Sequence, residues 1–133
     1  MHALILSLCL MLVPLAAGAE EIPLSGAEFE ARTTGRTLTY GLGGEVFGTE
    51  QYLPGRRVTW AFVGQGCQRG TWEDLGGHIC FRYDDGEEPA CWQFFDDAGR
   101  LTARLDGDSG GTSLTELSQS RQPMSCPGPD VGA

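Results

Sequence analysis

From Arg36 onward the chain is a succession of short runs of β-branched and aromatic residues, each closed by a turn rich in glycine, proline or aspartate. Strands are expected over 37–40, 45–53, 57–63, 70–73, 78–83, 90–95, 101–105 and 113–119. Alternation sorts their side chains into faces: Val58, Trp60 and Phe62 share one, as do Ile79, Phe81 and Tyr83, and again Leu101, Ala103 and Leu105. The links Leu53-Pro54-Gly55-Arg56, Leu75-Gly76-Gly77 and Asp97-Ala98-Gly99 are turn sequences too short to cross a sheet, so consecutive strands pair antiparallel. The expected fold is mainly β, a seven- or eight-stranded antiparallel meander. It closes into a small β-barrel, with a β-sandwich as the alternative.

A short helix precedes the strands. Ser25-Gly26-Ala27-Glu28 has the spacing of a capping box, in which the serine hydroxyl accepts from the backbone three residues on. The helix is expected to stop at Thr33-Thr34-Gly35, where glycine accepts the left-handed conformation. Two or three turns do not persist in isolation, so Leu24, Ala27, Phe29 and Ala31 are expected to dock on the rest of the fold. Three tryptophans, three tyrosines and six phenylalanines are ample for one core. If the barrel keeps a cavity, Trp60, Phe62, Phe81, Trp92 and Phe94 are expected to line it; otherwise they fill the core.

Residues 1–19 carry a leucine-rich run from Leu4 to Leu15 and a small-residue cleavage site, Ala17-Gly18-Ala19, and so read as a secretory signal peptide. The run is short for a membrane span, and Cys9 within it lacks the context of a lipid-attachment site, so no membrane anchor is expected. Residues 20–133 form a single domain, with an irregular tail from about 121 imposed by Pro123, Pro127 and Pro129. The expected location is periplasmic or secreted. In an oxidising compartment Cys67, Cys80, Cys91 and Cys126 read as two disulfides and not as a metal site. Four cysteines allow three pairings; a turn centred on Asp85-Gly86 places Cys80 opposite Cys91, which favours that pair and leaves Cys67 with Cys126. A longer hairpin leaves the other pairings open.

All 18 acidic residues follow the signal, against nine arginines and no lysine, for a net charge of −9. Nucleic acid would be repelled at long range, whereas a cationic protein would be steered inward. Asp84, Asp85, Glu87 and Glu88 concentrate that charge on one hairpin tip, the expected contact for a basic partner. His78 is the one histidine after the signal, which excludes a multi-histidine metal centre, and Asp106, Asp108 and Glu116 lack the spacing of a calcium loop. No metal or cofactor is expected. Gly107-Asp108-Ser109-Gly110-Gly111 resembles the nucleophile segment of chymotrypsin-type serine proteases, which would make Ser109 the nucleophile of a small hydrolase. That resemblance covers five residues of a fold about twice this length, and a glycine-rich turn explains them equally.

The opening Leu24-Ser25-Gly26-Ala27-Glu28, the Gly70-Thr71-Trp72 and Ile79-Cys80 strands, and Cys91-Trp92 with its Asp97-Ala98-Gly99 turn resemble small exported bacterial proteins of proteobacterial type and unknown function. The resemblance implies a periplasmic or secreted β domain and carries over no catalytic residue. The expected function is a non-enzymatic module that binds a small apolar ligand or another protein. The alternative is an inhibitor of a cationic secreted hydrolase such as lysozyme, to which a disulfide-stiffened acidic scaffold is suited.

Overall fold

The computed structural model describes residue 13 and residues 21–107 and 111–126. Apart from residue 13, the segment 1–19 expected to be a signal peptide lies outside the described residues, as do Ser109 with its neighbours Asp108 and Gly110 and the tail beyond Cys126. Helix α1 (Gly26–Thr33) is followed by β1 (Thr37–Leu42), β2 (Glu45–Leu53), β3 (Arg57–Phe62), β4 (Gln68–Leu75), β5 (His78–Tyr83), β6 (Ala90–Asp97), β7 (Arg100–Leu105) and β8 (Ser113–Ser120). Each strand pairs antiparallel with the next, and β1 pairs with β8 to close a barrel. The barrel, not the sandwich, is therefore the architecture. Closure gives every backbone edge a partner, and eight strands enclose a space that side chains fill or that holds one small ligand.

Strand β4 runs well beyond the expected 70–73. Its added residues include Asp74, a poor strand former, yet its partner Ile79 on β5 holds it in the ladder. The β5–β6 hairpin has the expected register, with Cys80 opposite Cys91, but its ladder stops at Phe81 and Ala90. Pro89, which has no N–H, follows the acidic stretch 84–88, so a tight two-residue turn gives way to an open loop. The ladder also stops early at its other end, at Ile79 and Trp92. There the Leu24 N–H takes over, donating to the Phe94 carbonyl at 2.7 Å and bringing the chain ahead of α1 onto the barrel.

α1 begins as the capping sequence dictates, with the Glu28 N–H donating to Ser25 Oγ at 3.1 Å. It lies across one end of the barrel, where it meets three turns. The Gly26 N–H donates to Asp74 at 3.0 Å, Arg32 reaches the Gly99 carbonyl at 2.9 Å, and Glu30 pairs with Arg56 at 3.3 Å. Gly26 is required at the first contact, since a Cβ there would run into the Asp74 carboxylate. From this platform Phe29, fully buried, enters the barrel and meets Tyr52, Trp72, Phe81 and Phe94 at ring separations of 5.5, 5.1, 6.4 and 4.4 Å. The helix is a plug, and Phe29 is its tip.

Both disulfides form, Cys80 with Cys91 across the hairpin and Cys67 with Cys126. The second ties the tail back to the β3–β4 connection. Along the way the Met124 N–H donates to Gln51 at 3.1 Å and Thr37 donates to the Gln122 carbonyl at 2.7 Å, so the tail follows the outside of the barrel. Two disulfides fit an oxidising compartment. Among the described residues no helix is long and apolar enough to cross a membrane.

Candidate functional site

At the end opposite α1, where the β1–β2, β3–β4 and β5–β6 connections lie, the interior is incompletely filled. A cavity of about 130 Å³ remains. Its wall includes Trp60, Phe62, Phe81, Trp92 and Phe94, together with Phe47, Tyr40, Tyr52 and Tyr83. Phe94 and Phe81 lie deep and buried, Trp92 and Tyr83 are half-buried, and Phe62 stands at the rim with 37% of its surface exposed. The five aromatic residues singled out from sequence thus share one wall.

Local strand geometry creates this wall. Residues 48, 50 and 52 of β2 face inward by alternation, and the β1–β2 register shifts between Tyr40 and Gly41, so that Phe47 has no partner in the ladder. This bulge turns Phe47 to the cavity side next to Gly48. Gly48 leaves the space in which the Trp60 indole lies; a Cβ at that position would collide with the ring. Phe47, Trp60 and Phe62 then form a mutual cluster, with ring separations of 5.9, 5.4 and 5.3 Å. Across the cavity Phe81 and Tyr83 stack in parallel at 6.3 Å.

The polar groups at the base are few. Tyr40 and Tyr52 share a hydroxyl hydrogen bond of 2.8 Å, and the Tyr83 hydroxyl donates to Glu50 Oε1 at 2.9 Å. Glu50 is 2% exposed, and its second oxygen, Oε2, is buried with no hydrogen-bond partner among the described residues. Burial pushes the Glu50 carboxyl well above the ordinary carboxylate range, and the Tyr83 hydrogen bond only partly opposes it. Desolvation likewise raises the phenols of Tyr40, Tyr52 and Tyr83, and the nearby Glu50 carboxyl adds to each shift. Burial therefore favours the uncharged form of each of these four groups.

Asp84, Asp85, Glu87 and Glu88 are exposed on the β5–β6 loop, which joins two strands of the cavity wall at the mouth. Leu42 at the end of β1, Val46 near the start of β2 and Val63 just after β3, also exposed, lie at the same end. His78 sits elsewhere, on the β5 start, with Nδ1 3.4 Å from Asp106. Residues that sequence reasoning missed include Phe47, Glu50 and the three tyrosines. Glu50 carried a usable signal, because alternation through Tyr52 places an acid on an inward face. Comparisons with protein-family models, curated proteins and solved structures return no match.

Proposed function

We propose that this protein is a non-enzymatic, periplasmic or secreted binding module that takes one small ligand with an apolar body into the mouth of its barrel. The observation that supports the reading is the cavity of about 130 Å³, walled by aromatic rings and carrying the Glu50 carboxyl group at its base. That volume is close to the roughly 150 Å³ in which an apolar engineered cavity accommodates benzene. Predominantly aromatic walls with few polar groups are the usual composition of a ligand site, the rings supplying contact area and the polar groups orientation. Packing would ordinarily close a void of this size in a small core, since each unfilled volume forfeits dispersion contacts.

The test is a titration of the disulfide-bonded protein with toluene and with benzylamine, read by tryptophan emission from Trp60 and Trp92. Saturable binding of at least one compound is expected. It should be lost in Ala90→Trp, which adds bulk at a half-buried position of the cavity wall. Binding of neither compound, or undiminished binding to Ala90→Trp, would overturn the proposal.

A further inference from the structure

We propose that the ligand is a compact primary amine, bound as its ammonium ion with Glu50 as the counter-ion and the aromatic wall around its hydrocarbon body. This rests on the reading of the barrel as a ligand-binding module and specifies what the module selects.

The argument starts from the contrast between the two buried acids. Glu116 is 5% exposed, but its oxygens accept from the Leu101 N–H and from the Gln119 amide, each at 2.9 Å. Its hydrogen-bonding capacity is used by the fold. Glu50 has one oxygen occupied by Tyr83 and the other without a partner, although it lies in the wall of the cavity. A buried polar atom left unpaired costs about 1 to 3 kcal/mol, and a ligand that supplies the missing donor recovers it. An ammonium group brings three donors and no acceptor, which matches an oxygen that can only be satisfied by a donor once ionised.

Charge selects the cation over a neutral donor. The groups facing Glu50 are the phenols of Tyr40 and Tyr52 and the donating Tyr83, while the other strands present uncharged side chains to the cavity. Glu116 of β8 and Arg32 of α1 act on Tyr40. Among the described residues no arginine lines the cavity to serve as an internal counter-ion. The rings add their own preference, since a cation above an aromatic face is attracted to it, most strongly when desolvated. Outside, the four acids of the 84–88 stretch and the net charge of −9 draw cations toward the mouth.

Binding is coupled to a proton. Desolvation favours the protonated form of Glu50. When the ammonium enters, the Glu50 proton leaves to solvent and the carboxylate–ammonium pair replaces it. One positive charge enters and one leaves, so the interior stays neutral overall.

Calorimetric titration of the disulfide-bonded protein with benzylamine and with toluene at neutral pH tests the assignment. Benzylamine is expected to bind wild type at least about tenfold more tightly than toluene, and Glu50→Gln, which keeps an acceptor for Tyr83, is expected to erase that preference. Titration of wild type in two buffers of different ionisation enthalpy should show net proton release on benzylamine binding, a readout that needs no variant. Equal affinity for the two compounds in wild type, a preference that survives in Glu50→Gln, or amine binding with no proton released would overturn the amine assignment while leaving the binding module standing. Failure of both compounds to bind would remove the binding module and the amine with it.

Discussion

Glu50 and Glu116 show how one residue type is put to different ends by its immediate surroundings. Glu116 repairs the ladder: β7 and β8 pair over Thr102 to Arg104, and its carboxylate takes the Leu101 N–H that lies just outside that pairing. Glu50 repairs nothing, and its burial has a cost that depends on pH. In the unfolded chain it titrates near the ordinary 4.5, and in the barrel well above it. Below the unfolded value both states are protonated, so the group is neutral toward folding. As pH rises past it, the unfolded chain releases the proton that the folded chain retains, and stability falls until the folded value is reached. The melting temperature of wild type, compared with Glu50→Gln, is expected to drop between about pH 4 and about pH 7, and a difference that stays constant over that range would contradict the burial argument. The sequence placed Glu50 in phase with Tyr52 but offered no sign of its depth. An acid on a strand ordinarily faces water, and only the arrangement of Tyr40, Tyr52 and Tyr83 around it makes this one interior.

The helix and the bulge on β2 are what divide the barrel into a closed end and an open one. α1 was legible from its capping serine and its glycine stop, and Gly35 indeed takes a φ of +80°, with its N–H donating to the Tyr52 carbonyl at 2.9 Å. Where the helix docks was not legible, because eight residues with three candidate apolar contacts, and Leu24 just ahead of them, fit any face or end of a sheet. Phe29 decides the matter by meeting four rings at once. Phe29→Ala is expected to lower stability by about 3 to 5 kcal/mol in denaturant unfolding, the range for emptying a large buried aromatic site. A loss under about 1 kcal/mol would mean that the helix rides on the surface. At the other end, the bulge at Phe47 breaks the two-residue period and puts the Phe47 ring on the same side as the inward-facing Gly48. Alternation alone cannot foresee a bulge, which is why Phe47 was not among the expected lining residues.

The two disulfides act on distant parts of the chain. Cys80–Cys91 closes a span of 11 residues within one hairpin, whereas Cys67–Cys126 spans 59 and secures a tail that runs over the outside of the barrel. Loop-closure entropy assigns the longer bridge an upper contribution of about 4 kcal/mol. The Cys67→Ser, Cys126→Ser double variant is therefore expected to melt at lower temperature yet bind benzylamine with unchanged affinity, because neither cysteine lines the cavity. A parallel loss of binding would show that the tail shapes the mouth. Periodicity, turn residues and cysteine arithmetic by themselves determined the antiparallel meander, its leading helix and the favoured disulfide pairing, since all of these follow from interactions between near neighbours. Closure of β1 on β8, the plug formed by Phe29 and the unfilled space over Glu50 had to await the folded barrel. They depend on how side chains far apart in the chain divide one enclosed volume, and no local pattern records the space left over.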